Sequence, residues 1–143
     1  MRAMTAQAPR KDRTQLAPGY AVGVTEEMIE QLVHAFYARV RAEPVLGPIF
    51  NGAIDDWDEH LEKLCDFWSS VLLMTGRFKG RPMAVHVQVP DIQPAHFARW
   101  LDLFGYTARQ VWPSAAAELV IEKAQMIGRS LQMGIAVSRG ELP

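Results

Sequence analysis

The chain's 143 residues, 49% apolar and 22% charged, suffice for one soluble domain that buries a core and still encloses a cavity for a large apolar group. A formal net charge of −1, without a clustered basic face, argues against nucleic-acid binding, which needs Lys and Arg along a phosphate track. The longest apolar-rich run, near Val71 to Met74, is too short to span a bilayer, so no membrane role is expected.

The first residues carry Arg2, Arg10, Lys11 and Arg13 but no apolar core of a secretory signal. Lacking any sustained period, residues 1–23 read as a flexible extension, ahead of a folded domain over residues 24–138 and a frayed tail over residues 139–143. From Thr25, a good N-cap followed by Glu26 and Glu27, the period turns helical. Ile29, Leu32, Val33, Phe36, Tyr37 and Val40 fall three and four apart, and Pro44 sets the limit. Val45 to Phe50, interrupted by Gly47 and Pro48, predicts a tight corner of at most one helical turn with Phe50 pointing inward. A second long helix begins near Asp55 or Asp56. Its stripe is Trp57, His60, Leu61, Leu64, Phe67, Trp68, Val71 and Leu72, with Gly76 as the expected stop. Cys65 beside Leu64 reads as a small buried apolar group; unable to form an internal disulfide, it fits a reducing, cytoplasmic setting.

Met83, Val85, Val87 and Val89 alternate as a strand would, yet no second strand candidate exists to pair with them. Pro82 and Pro90 instead confine this stretch to a short, irregular or singly turned segment carrying His86. A third long helix opens near Pro94 and carries Phe97, Trp100, Leu101, Phe104, Ala108 and Val111, weakened at Gly105. Trp112-Pro113-Ser114 breaks it, with Ser114 placed to cap a last helix that turns Leu119 or Val120, Ala124, Ile127, Leu131 and Ile135 inward. The fold class is all-α.

Within this pattern polar groups are repeatedly aimed where a core should be: Tyr37 next to Phe36, His60, Trp100, and His86 on its proline-fenced segment. One histidine on an apolar stripe is ordinarily a satisfied core residue; the set together is what a buried haem iron and its gas ligand would need. The acids around His60 lack the spacing of a carboxylate-histidine metal site and suit a solvated first turn. Arg77, Lys79 and Arg81 form a basic loop that either meets an anion such as a haem propionate or is simply solvated. His34 and His96 read as surface residues.

Several blocks of sequence, in order, resemble the third group of bacterial truncated haemoglobins. They are Phe36-Tyr37-Ala38-Arg39-Val40, Leu46-Gly47-Pro48-Ile49-Phe50, Trp57-Asp58-Glu59-His60-Leu61, Phe67-Trp68, Lys79-Gly80-Arg81-Pro82 followed by His86, and His96 through Phe104. The resemblance covers residues 27–132 and implies a truncated globin fold around a haem pocket. Phe78 departs from it, standing where relatives commonly carry an aromatic with a hydroxyl.

By motif, His86 resembles the proximal ligand whose imidazole bonds iron, its other ring nitrogen donating to an acceptor that fixes the ring. Tyr37, His60 and Trp100 match distal positions, and His60 either contacts the ligand or swings outward as a gate. Phe36, Phe50, Leu64 and Phe67 serve as pocket wall or as ordinary core. The resemblance implies haem b, reversible but tight binding of O2, CO and NO, and a monomer or weak dimer. Donors that stabilise a bound ligand oppose its release, which fits oxygen delivery poorly. A haem enzyme with peroxidase-like or nitric-oxide-detoxifying turnover is the alternative, and it would need a separate reductase. A haem-free helical interaction module is a third reading, distinguished by failure to take up haem.

Overall fold

Apolar spacing makes the helices of this chain, and local caps and close approaches decide where each begins and ends. The computed structural model describes residues 14–80 and 92–140. Its helices are Pro18–Ala21 (α1), Glu26–Ala42 (α2), Leu46–Ala53 (α3), Trp57–Leu73 (α4), Pro94–Val111 (α5) and Ser114–Ser138 (α6), after a 3-10 turn at Thr14–Leu16. No strand occurs among the described residues, as the all-α reading expects. The alternating stretch from Met83 to Val89, with His86, lies outside them.

Thr25 caps α2 by accepting from the Met28 N–H at 3.2 Å, and Asp56 caps α4 by accepting from the Glu59 N–H at 3.1 Å. The α2 stripe from Ile29 to Val40 is buried throughout. Four expectations are corrected. The corner at residues 45–50 is a full helix, α3, because Pro48 falls in the first turn, where its missing N–H breaks no helical hydrogen bond. Glu43 satisfies the N–H groups of Val45 and Leu46 from outside the helix. The α4 stop comes before Gly76, at Met74, which takes the left-handed conformation at φ 55°. Ser114 is the first residue of α6 rather than its cap; Pro113 holds the cap position, and no side chain bonds there.

The fourth correction concerns residues 14–23, read as part of a flexible extension. Here they are folded, with Ala17 buried and Gly19 set against α4. A Cβ at Gly19 would lie 2.7 Å from the Leu72 carbonyl oxygen, so only glycine permits the approach. Gly47 is similarly constrained: its Cβ would lie 2.6 Å from the Arg41 carbonyl oxygen, which lets α3 fold back on the end of α2.

α2 is central, packing against α3, α4 and α5, while α6 backs α5. The Trp112 indole N–H donates to the Met28 carbonyl at 2.9 Å and ties the end of α5 to the start of α2. α4 and α6 meet only weakly, so a cleft is left between them. At the other end of α2 the Glu43 carboxylate also accepts from the Arg99 guanidinium of α5.

Burial works against the Glu43 charge, but the Leu46 N–H, Arg99 and the Val45 N–H outweigh it and hold the carboxyl below its usual range. A depressed folded-state value stabilises the fold above the unfolded carboxylate range, and that contribution is lost as pH falls through the folded value. In urea unfolding, the stability gap between wild type and Glu43→Gln should stay constant above about pH 6 and close below about pH 4.

Candidate functional site: an apolar cleft with buried donors

Successive residues of a helix point about 100° apart. Phe36 and Tyr37 therefore leave α2 in different directions. Phe36, fully buried, packs edge-on to Trp100 at 5.3 Å and to Phe104 at 5.0 Å between ring centroids. Tyr37 turns into the cleft between α4 and α6. From α4 the same cleft receives His60, Lys63, Leu64, Phe67 and Trp68, spaced as one helical face; α5 adds Trp100, α6 adds Ile127 and Leu131, and Phe78 closes it from the loop after α4.

Aromatic stacking fixes Trp100. Its ring lies on Phe104 at 5.5 Å with 11° between planes, and Phe104 lies on Trp68 at 5.5 Å with 18°. So held, the Trp100 indole N–H donates to the Tyr37 hydroxyl oxygen. Burial pushes the Tyr37 phenol well above its usual range, and the Trp100 hydrogen bond only partly offsets this. The phenol therefore keeps its proton. Accepting from Trp100 leaves that O–H as a donor.

His60 is half-buried at the cleft's edge, its ring 6.1 Å from that of Tyr37 and 5.6 Å from that of Trp57. Lys63 stands exposed at the rim, 3.5 Å from Glu59. The Phe78 ring meets Phe67 edge-on at 5.3 Å, and its N–H donates to Ser70 Oγ at 2.9 Å. Fully buried Ser69 ties that loop to α2, donating to Glu26 at 2.8 Å and sharing a 2.7 Å hydrogen bond with Thr75. Arg77 of the basic loop turns back to Glu26 at 3.5 Å, and Lys79 is exposed. Arg81 lies outside the described residues.

Tyr37, His60, Trp100, Leu64 and Phe67 thus come together on one cavity. Phe36 stands behind its wall. Phe50 lines a neighbouring void with Ile92, His96, Phe97, Trp100 and Leu131. His34 is exposed, but His96 is half-buried, its Nδ1 accepting from the Gln93 N–H at 2.9 Å at the start of α5. Sequence reasoning missed Lys63, Trp68, Ile127 and Leu131 as lining residues. Lys63 was legible as the residue one turn beyond His60; the other three are indistinguishable from core by pattern. His86 lies outside the described residues.

The cavity encloses about 80 Å³ and is partly open. A water's share of liquid volume is about 30 Å³, so there is room for a two-atom ligand beside Tyr37 and Trp100, while a tetrapyrrole needs the mouth parted. The chemistry of the lining suits such a group: aromatic and aliphatic walls, with a buried phenol O–H and the indole N–H that holds it gathered at one end. Among the described residues no cluster of His, Cys, Asp and Glu could hold a bare metal ion, and no helix is long and apolar enough to cross a membrane.

Comparison with known proteins agrees with the resemblance in the sequence. Residues 20–128 match the bacterial-like globin family. The chain is 34% identical over 113 residues to the Group 3 truncated hemoglobin ctb of Campylobacter jejuni, a span of 76% of this chain and 89% of that protein. It aligns with the crystal structure of group III truncated hemoglobin from Campylobacter jejuni at a TM-score of 0.74 and 34% identity, over 78% of this chain and 91% of that one.

If Tyr37 serves ligand binding and Phe36 serves packing, their truncations should separate. Urea unfolding of the haem-free protein should show Phe36→Ala losing about 3–5 kcal/mol. Tyr37→Phe should change stability by less than about 1.5 kcal/mol, since it removes the hydrogen bond from Trp100 and leaves the ring's packing in place.

Proposed function

Since the chain belongs to the bacterial-like globins and, among them, to the third group of truncated haemoglobins, we propose that it binds O2, CO and NO at the iron of a haem b held by His86. Tyr37, Trp100 and His60 then form the distal side, and O2 is held tightly. The observation that carries this reading is the buried Tyr37 hydroxyl, which accepts from Trp100 and keeps its own proton to give.

The haem supplies the iron that a diatomic gas can ligate. The chain supplies everything around the ligand's outer atom. The Tyr37 O–H would donate to it, and because burial raises the phenol's pKa this donor persists across physiological pH. Trp100, by donating its one N–H to the Tyr37 oxygen, would hold that hydroxyl in place. Phe67, Trp68, Ile127 and Leu131 keep water from competing, which strengthens each hydrogen bond. Lys63 at the rim, now beside Glu59, would supply a cation for a carboxylate on the edge of the bound group. The proposal extends to a cytoplasmic bacterial protein, monomeric or weakly dimeric, reduced by a separate reductase.

Hydrogen bonds to a ligand that draws negative charge are worth about 1.5–3 kcal/mol, or roughly ten- to a hundredfold in dissociation rate. Tyr37→Phe and Trp100→Phe should therefore speed O2 release by about that factor in stopped-flow measurements. The reduced wild type exposed to CO should give the Soret band of a histidine-ligated haem, and His86→Gly should lose it until imidazole is added. Unchanged O2 release in both distal variants, or a spectrum indifferent to His86, would overturn the assignment.

A further inference from the structure

Two stripes run along α6. The inward one, from Ala116 to Ile135, is buried against the rest of the fold. The other faces outward: Leu119, Lys123, Met126, Ser130, Met133 and Val137 follow at spacings of four and three, the pattern of a coiled-coil seam. Seven large hydrophobic side chains are exposed among the described residues, and three of them, Met126, Met133 and Val137 at 48%, 58% and 62%, lie on this seam. Single exposed apolar residues are ordinary, but three in line on one helix form a patch. Beside them an open apolar groove between α6 and α4 is lined by Phe67, Val71, Ile127 and Leu131 and edged by Met126.

Charge decides what fits this face. Glu122 and Arg129 flank the seam on one side, four residues before Met126 and three after it. Both are exposed, and neither joins an ion pair among the described residues. Reversed, the order Glu122, Met126, Arg129 is its own complement. A second α6 laid antiparallel, with the two-fold axis at Met126, keeps each flank on its own side and sets Glu122 against the partner's Arg129. The same axis sets Met126 against the partner's Met126 and Leu119 against the partner's Met133. A parallel pairing would leave Glu122 opposite Ile127 and Arg129 opposite Gly134, where no charge answers them.

We infer that the chain forms an antiparallel two-fold dimer through the outer seam of α6, centred on Met126. The seam is about 27 Å long. Lys123 and Ser130 interrupt its apolar residues, so the dimer is one that dissociates on dilution. Methionine, unbranched and adaptable, suits a surface that is wetted and covered in turn. The inference does not rest on the haem reading: it concerns the outer face of α6, whatever the cleft binds.

Sedimentation velocity of the full chain, with and without haem, tests it. The wild type should pass from monomer to dimer as its concentration rises to about 1 mM, and less readily in high salt. Met126→Glu with Met133→Glu should abolish the dimer; both side chains are exposed, so the circular dichroism spectrum should not change. Glu122→Arg and Arg129→Glu should each weaken self-association about tenfold, because like charges then meet twice. A mixture of those two variants, or the two changes in one chain, should restore it. In a Cys65→Ser background, Met126→Cys should crosslink to its partner on air oxidation. Met133→Cys should not, since the axis sets the two Met133 positions about 21 Å apart along the helices, beyond the reach of a disulfide. A wild type that stays monomeric at about 1 mM, or a dimer indifferent to the paired glutamates, overturns the interface. Crosslinking at residue 133, or no restoration on mixing, overturns the antiparallel pairing. Failure to take up haem would count against the globin function and leave this result standing.

Discussion

Trp100 has to be held still for the rest of the site to work. The indole is pinned on one face by Phe104, itself stacked on Trp68, and at its edge by Phe36, which has no exposed surface. These rings come from α2, α4 and α5, so the packing of those helices on one another and the position of a single N–H are one constraint. The Tyr37 hydroxyl is placed by that N–H in turn. A donor pair fixed before any ligand arrives loses little freedom on binding, and this is what makes each hydrogen bond count.

Polar anchors complement the aromatic stack at the periphery. Glu43 joins the end of α2 to α3 and, through Arg99, to α5; Ser69, Thr75 and Glu26 fasten the loop after α4. That loop brings Phe78 over the cleft, so a fully buried serine on the far side of α4 governs one wall of the site. Phe78 has no hydroxyl to offer there, and the cleft's polarity is concentrated at Tyr37, Trp100 and His60 as a result. Where α4 and α6 fail to pack closely, the chain keeps a cavity rather than a core.

Legibility followed the range of each interaction. Tyr37, His60 and Trp100 were visible because a polar side chain on an apolar helical stripe breaks a period that runs within one helix. Phe36 and Phe50 were grouped with Leu64 and Phe67 as wall or core, and spacing could not separate them: the direction of a buried aromatic depends on the neighbouring helix. Residues 14–23 looked unstructured because a contact built on Ala17 and Gly19 has no apolar period at all. The two-turn α3 was hidden by Gly47 and Pro48, each of which is a breaker in isolation and a requirement where it stands.

The sequence by itself determined the helical class, the long amphipathic helices, the Thr25 N-cap, and the residue types available for a haem pocket, since all of these are set by local spacing and local hydrogen bonding. Only the tertiary structure decided which of those residues share a cavity, that Trp100 donates to Tyr37, and that a second void lies behind the same tryptophan. These depend on how far apart α4 and α6 come to rest, a distance fixed by side-chain volumes summed over three packed helices and encoded at no single position.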